Sequence, residues 1–258
     1  MILDAHTHLD FYENNEIVAM LEEIETNRIL SLSVATDRES YVKNQQLAAR
    51  TKYIIPAIGV HPWKASANVK NLDRLKPLIQ KAPMIGEIGL DYKFVEDETN
   101  YPTQRYVFEY FLKQARAQNK IVNLHTAGAE SQTLDMLESY EILRAIVHWY
   151  SGPGDIAESY IEKGYYLTIG VEVLFSEHIQ NICQLIPDNL LLTETDNPGG
   201  YAWLKKQPGK PKIIHDVIDK IADLRGRTRE QIIDMVWVNF LSLIEDDPNF
   251  EAFNFGTS

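Results

Sequence analysis

The sequence predicts an α/β fold, a (β/α)8 barrel formed as a single domain over residues 1–258. Short apolar runs of β type alternate with segments of helical periodicity, which indicates a parallel sheet with helices between its strands. The run recurs eight times, the number that closes a barrel, and such barrels commonly have about this chain length. The alternative architecture is an open, doubly wound parallel sheet.

The apolar runs are the predicted strands. Pro56 lies inside the third run, and because proline cannot donate a ladder hydrogen bond we expect that strand to begin after it. The runs are centred near Ile2, Ile29, Tyr53, Met84, Ile121, Ala145, Tyr165 and Leu190.

The segments between the runs carry the apolar spacing of amphipathic helices. Asn14 or Asn15 is available to cap the first helix, and Thr228 with Gln231 has the spacing of a capping box that opens the last one. The apolar stripes are Ile17, Met20, Leu21 and Ile24; Val107, Phe108, Phe111, Leu112 and Ala115; Ile214, Ile218, Ile221 and Leu224; and Ile232, Val236 and Phe240.

Composition narrows the function classes. The chain is 45% hydrophobic and 24% charged, which is typical of a globular protein with a large core. A net charge of −12 argues against a protein that coats duplex DNA, yet it permits an enzyme whose metal ions and local basic groups neutralise one chain end. The single cysteine, Cys183, excludes an intrachain disulfide and a cysteine-based zinc site.

Targeting signals are not evident in the sequence. The start has no basic segment followed by an apolar run, and no stretch approaches the ~18 apolar residues of a membrane helix. We therefore expect a soluble, cytoplasmic protein with no membrane association and no obligate protein partner.

Residues suited to catalysis cluster at the predicted carboxyl ends of the strands, where barrel enzymes have their active sites. His6 and His8 are two residues apart, so on a strand both imidazoles point to the same face, and Glu194 and Asp196 repeat this spacing. The remaining candidates at strand ends are His61, Glu87, Asp91, His125 and His148.

Imidazole and carboxylate side chains together are the ligands of Zn, Mn, Fe or Ni. The candidates outnumber the ligands that one tetrahedral ion needs. The sequence therefore predicts a two-metal site in which a carboxylate bridges the ions and water completes their coordination.

The strand-end motifs resemble those of the TatD family of metal-dependent hydrolases. The resemblance implies a TIM-like barrel, two divalent ions (Zn, Mn or Mg) and hydrolysis, often of a single-stranded DNA or RNA end by 3′–5′ exonuclease action. The matching segments, in the family's order, are Asp4–Asp10, Gly59–Pro62, Gly86–Tyr92, His148 with Ser151-Gly152, and Glu194–Pro198.

The resemblance also implies a role for each residue. The metal ligands would be His6, His8 and Asp196 for the first ion, His125 and His148 for the second, and Glu87 as the bridge between the two. His61 and Glu194 match positions that line the family's site and orient water or the scissile phosphate. Asp196, or Glu194 beside it, would take the proton from the nucleophile, and Asp91 would bond within its loop or brace a ligand.

The chain departs from the family pattern in the region that would hold the substrate. Thr126-Ala127-Gly128 follows His125 where the family usually has Ser-Arg-Asp, so the arginine suited to a phosphate is absent. A second hypothesis is therefore a hydrolase of an amide, ester or small phosphoester on the same barrel, and a third is a scaffold with structural metals.

Other side chains near the predicted barrel mouth have two interpretations each. A set of lysines forms either a basic rim or a solvated loop, and a set of aromatic residues either stacks on bases or packs in the core. The lysines are Lys205, Lys206, Lys210 and Lys212, and the aromatic residues are Trp63, Trp149, Tyr150 and Trp203.

Overall fold

Eight parallel strands form a nearly closed barrel in the computed structural model, which describes residues 1–253. Each strand pairs with the next one along the chain, from β1 to β8. The strands are β1 Ile2–Thr7, β2 Ile29–Val34, β3 Ile54–Ile58, β4 Met84–Gly89, β5 Val122–His125, β6 Ala145–Val147, β7 Tyr166–Ile169 and β8 Leu191–Thr193. The predicted barrel and its strand positions are confirmed.

The α-helices of the described region lie between the strands and after β8. They are α1 Ile17–Asn27, α2 Arg38–Ala48, α3 Ala65–Asn68, α4 Lys76–Lys81, α5 Tyr101–Gln118, α6 Glu130–Ser139, α7 Gly154–Glu162, α8 Glu177–Leu185, α9 Gly199–Lys205, α10 Ile214–Arg225 and α11 Arg229–Leu243. Short 3-10 turns are Leu9–Phe11, Pro62–Lys64, Val69–Leu75, Glu98–Asn100, Val171–Leu174, Asp188–Leu190 and Pro211–Ile213. None of the helices in residues 1–253 has the length and apolarity that a membrane crossing requires.

The core fills the barrel and the layer between strands and helices. Every residue of β1 to β4 is buried, as expected for parallel strands with one face on the barrel interior and the other under helices. The helices bury the predicted stripes: Ile24, Phe111 and Ile221 are each completely buried. The capping box of Thr228 and Gln231 is present at the start of α11.

Two local expectations were wrong. Pro56 lies in the middle of β3, opposite Ser33 of β2. The carbonyls of Tyr53 and Ala57 accept hydrogen bonds from Ser31 of β2 and from Ala35 just after it. Backbone groups alternate in direction along a strand, so the nitrogen of Pro56 points to the other side, towards β4. The pairing of β4 with β3 begins only at Ala57. No ladder bond is lost there. The N-cap of α1 is Glu16 rather than an asparagine, and no side chain bonds to that helix end.

The ends of β1 and β8 are joined by specific contacts. The Thr193 hydroxyl donates to the Leu3 carbonyl at 2.6 Å, and the Asp196 amide donates to the His6 carbonyl at 2.9 Å. On the opposite side, Gly89 ends β4 with φ 144°, where a Cβ would lie 1.9 Å from the His125 carbonyl oxygen. Only glycine allows this approach of β4 to β5, which brings the carboxyl ends of both strands together.

The segment after α11 packs on the barrel. Phe250 is buried, and Phe253 packs against the same core. Asp247 forms an ion pair with Arg144, in which Oδ2 lies 2.8 Å from Nη1. A third phenylalanine of this tail, Phe255, lies outside the described residues.

We expect Asn239→Ala to lower the free energy of unfolding by about 1–3 kcal/mol, because Leu191 at the start of β8 would lose a buried hydrogen bond. The Asn239 amide donates to the carbonyls of Asp188 and Leu191 at 2.6 and 2.8 Å. Urea denaturation checks this, with exposed Asn14→Ala as the matched control. Equal stability of the two variants would contradict the assignment.

Candidate metal centre

Glu87 stands at the centre of the residues that the strand ends bring together. It lies on β4, its side chain is 2% exposed, and imidazoles from other strand ends surround it. Oε2 lies 3.3 Å from His8 Nε2 and 3.7 Å from His6 Nε2. Oε1 lies 2.9 Å from His125 Nδ1 and 3.1 Å from His148 Nε2. The two carboxylate oxygens thus face two separate groups of histidines, since His61 Nε2 also lies 3.4 Å from Oε1.

Asp196 completes the group around Oε2. Its Oδ1 lies 3.3 Å from His8 Nε2 and 3.7 Å from His6 Nε2. Ligand atoms that bind one ion at about 2.0–2.2 Å lie roughly 3.0–3.6 Å apart, so these spacings suit a shared cation. His6, His8 and Glu87 form one of the clusters whose donor atoms all lie within 4.8 Å of one another.

Two buried atoms in this group support a metal ion on chemical grounds. His6 Nε2 and Glu87 Oε2 are inaccessible to solvent and have no hydrogen-bond partner among residues 1–253. His6 Nδ1 lies 2.8 Å from Asn123 Oδ1, while the Asn123 amide donates to the Ala5 carbonyl at 2.8 Å. This orientation of Asn123 makes Nδ1 the donor and leaves the lone pair of Nε2 free for a cation.

The electrostatics of the group favour positive charge between its carboxylates. Burial opposes ionisation of Glu87, but the adjacent histidines, His61 and His148 foremost, outweigh burial and hold the pKa of Glu87 well below its usual value. Burial likewise opposes protonation of His8, yet the carboxylates of Asp196 and Glu87, each with an oxygen 3.3 Å from Nε2, raise the pKa of His8 to about 10. A proton and a metal ion compete for such a position.

His61 differs from His6 in its tautomer. Its Nδ1 accepts the Trp63 backbone N–H at 3.1 Å, so the neutral ring carries its proton on Nε2. Burial lowers the pKa of His61 and keeps the ring neutral. Nε2 lies 3.4 Å from Glu87 Oε1, and it offers a hydrogen-bond donor at the cavity rather than a lone pair.

Asp91 holds the His125 ring in position. Oδ2 of Asp91 lies 2.9 Å from His125 Nε2 and accepts the Trp63 indole N–H at 2.6 Å. Its Oδ1 accepts the backbone N–H groups of Lys93 and Phe94. Asp91 therefore bonds within its loop and also fixes the His125 ring.

Glu194 lies behind His148 and away from the cavity. Its side chain is completely buried, with Oε2 3.5 Å from His148 Nδ1. Oε1 accepts the Trp149 N–H at 2.9 Å and Oε2 accepts the Thr168 hydroxyl at 2.6 Å. Burial raises the pKa of Glu194 despite its contact with His148.

Asp196 is open to the cavity, unlike Glu194. Its side chain is 21% exposed and lines the cavity, and its φ of 51° lies in the left-handed region that aspartate tolerates. Asp4 supports this turn, since its carboxylate accepts the backbone N–H and the hydroxyl of Thr195 at 2.9 and 2.6 Å. Burial raises the pKa of Asp4 to about 8.

Sequence reasoning did not identify three of the supporting residues, Asp4, Asn123 and Thr168. Asn123 had a usable signal, because it precedes His125 by two residues on β5 and therefore shares its face. Thr168 on β7 had none, since no candidate ligand was found on that strand. Asp4 belongs to the first motif, but its partner Thr195 is known only from the structure.

The site opens into a cavity of about 420 Å³ at the barrel mouth. Trp63, Trp149 and Trp203 line it, whereas Tyr150 is buried and donates to the Pro153 carbonyl. The cavity is also lined by Phe11, Thr36, Lys64, Lys93, Phe94, Thr126, Ala127, Ser151, Glu172, Gly199 and Gly200. The cavity lining includes none of Lys205, Lys206, Lys210 and Lys212.

Comparisons with known proteins match this chain along nearly its whole length. A family model described as TatD related DNase matches residues 3–245. An uncharacterized metal-dependent hydrolase of Methanocaldococcus jannaschii, MJ1582, is 28% identical over 92% of this chain and 94% of its own. The human protein named deoxyribonuclease TATDN3 is 26% identical over 94% of each chain.

Solved structures share the fold. The TatD homologue YjjV of Escherichia coli superimposes with a TM-score of 0.86 at 23% identity, covering 94% of this chain and 97% of its own. The phosphotriesterase homology protein of Escherichia coli, solved with phosphate in its active site, has a TM-score of 0.65 at 13% identity, covering 91% and 94%. With the family model matched from residue 3 to residue 245, this chain belongs to the TatD family of metal-dependent hydrolases.

Proposed function

We propose that this chain is a deoxyribonuclease that removes nucleotides from single-stranded DNA ends in the 3′–5′ direction, using two divalent ions (Zn, Mn or Mg). The observation that carries the proposal is the position of the Glu87 carboxylate, whose two oxygens face separate groups of imidazoles. The name of the human relative as a deoxyribonuclease supports it. The ligands would be His6, His8 and Asp196 for one ion, His125 and His148 for the other, and Glu87 for both.

The chain's own residues divide the remaining tasks. When bound, the ions lower the pKa of water and offset phosphate charge. Asp196, whose carboxylate is open to the cavity, accepts the proton of the attacking water. His61 donates its Nε2–H to a phosphate oxygen, and Glu194 orients His148 from behind, since its own oxygens already accept two bonds. We therefore assign the role of general base to Asp196 rather than to Glu194.

Hydrolysis of an amide, ester or small phosphoester is the second candidate. It is favoured by the small number of basic side chains in the cavity. Ala127 stands where an arginine could have bound a phosphate, and one of the two lining lysines, Lys64, is paired with Asp37 at 2.9 Å. A steep loss of affinity with ionic strength would favour the nuclease, because affinity that depends on phosphate contacts falls with salt and affinity for a neutral ester does not.

We expect metal-reconstituted protein to shorten linear single-stranded DNA from its 3′ end and to leave circular single-stranded DNA intact. Gel analysis follows both reactions, with a 5′ label on the linear strand and a nucleic-acid stain for the circle, and with metal-stripped protein as the blank. Asp196→Ala should lower the rate by at least about 10²-fold, the usual contribution of a general base, and exposed Asp73→Ala should not change it. Cleavage of a neutral ester but of neither DNA would favour the second candidate.

Metal content tests the bridging role of Glu87. Wild-type protein should bind two ions per chain, and Glu87→Ala should lose both tight binding and turnover, because one carboxylate serves both ions. Isothermal titration and elemental analysis measure this, with exposed Glu177→Ala as the control variant. Full metal content and full activity in Glu87→Ala would rule out a bridged two-metal site.

Asn123 is expected to act through His6. Asn123→Leu removes the acceptor at His6 Nδ1, so metal affinity should fall about 10–100-fold, as for other outer partners of metal-bound histidines. Competition with a chelating dye measures the affinity. Asn123→Asp keeps an acceptor and should retain most of it, whereas equal losses in both variants would indicate a packing role only.

A further inference from the structure

Three aromatic side chains cross the mouth of the barrel above the proposed metal ligands. Trp63 follows β3, Phe94 follows β4, and Trp203 lies on α9 after β8. The ring centroids of Trp63 and Phe94 are 6.3 Å apart, and those of Phe94 and Trp203 are 6.2 Å apart. Because β4 and β8 lie on opposite sides of an eight-stranded barrel, the second contact spans the opening. We call these three residues the aromatic bridge.

The aromatic bridge is largely exposed. Trp63, Phe94 and Trp203 are 61%, 48% and 57% exposed, and all three line the cavity. Both ring pairs meet edge to face, at interplanar angles of 81° and 80°, so no two of these rings stack face to face on each other in these contacts. Adjacent exposed aromatic side chains in a cleft are typical of a binding surface rather than of a core.

A cation beside the aromatic bridge narrows the class of ligand. Lys93 is exposed and lines the cavity, with Nζ 5.4 Å from the centroid of the Phe94 ring. Within residues 1–253 it has no carboxylate partner at ion-pair distance, whereas Lys64 is paired with Asp37. Ring faces next to an available ammonium complement a planar base joined to a phosphate, and a neutral apolar group would leave Lys93 unused.

We propose that the aromatic bridge binds the terminal nucleobase of the single-stranded substrate and that Lys93 contacts the phosphate next to it. The inference rests on the proposed nuclease function and adds the recognition of the chain end. A base within a duplex has its faces covered by its neighbours, so an unpaired terminal base is the one that can stack here. Since every base has a π-face, this recognition tolerates any sequence.

Binding measurements test the proposal independently of cleavage. The metal-loaded protein is titrated with a fluorescent single strand whose terminal linkage is a phosphorothioate, to suppress cleavage, and anisotropy reports the affinity. Two such single strands are compared: one ends in thymidine, and the other has the same sequence but ends in an abasic nucleotide. We expect wild-type protein to bind the base-bearing end about tenfold more tightly, consistent with stacking on aromatic side chains.

The variants identify the residues responsible. Phe94→Ala and Trp203→Ala should bind the two ends equally, Trp203→Phe should keep most of the preference, and Tyr106→Ala, which removes a 58% exposed ring on α5, should keep all of it. Lys93→Gln should reduce the slope of log affinity against log salt by about 0.7, and exposed Lys81→Gln should not.

Each outcome decides between the two proposals. Equal affinity of wild-type protein for both ends, or an undiminished preference in Phe94→Ala and Trp203→Ala, overturns the role of the aromatic bridge, even if DNA is cleaved. A base preference that the two variants lose, in a protein that cleaves no DNA, supports the aromatic bridge and rejects the nuclease. Binding of neither end rejects both.

Discussion

The buried carboxylate of Glu87 is the constraint on which the rest of the site depends. An isolated carboxylate in a barrel interior is costly, and here five imidazoles surround it, whose combined effect holds the pKa of Glu87 well below its usual value. Those imidazoles come from strand ends that only a nearly closed parallel barrel brings together. Closure of the barrel therefore also provides the groups that balance the charge of Glu87. A cation at each carboxylate oxygen would balance that charge further.

Orientation of the ligands is set by a second layer of side chains. Asn123, Asp91 and Glu194 each face the far nitrogen of a different histidine, at 2.8, 2.9 and 3.5 Å. All three are themselves fixed by further bonds, Asp91 by backbone amides, Glu194 by Thr168 and Asn123 by the Ala5 carbonyl. Rings held in this way need no rearrangement to receive a ligand, which favours tight metal binding.

The sequence predicts the barrel and the positions of the histidines because both depend on local periodicity and on the order of the strands. It does not predict the different surroundings of Glu194 and Asp196. β8 ends at Thr193, and the left-handed Asp196 ends the alternation on which the same-face expectation rested. The contact between Phe94 and Trp203 joins the loop after β4 to helix α9 on the opposite side of the barrel, and no pattern within either segment encodes it.

The proposed nuclease is an acidic chain with Ala127 at the position of the phosphate-binding arginine, so binding of DNA would have to rely on other contacts. Affinity that depends on phosphate neutralisation requires many cations, and the cavity lining contains only Lys64 and Lys93. Stacking on an aromatic surface needs no charge and is worth roughly 1–3 kcal/mol per base. If the aromatic bridge supplies most of the affinity, a weak salt dependence is compatible with a nuclease, and the response to the missing base becomes the more informative measurement.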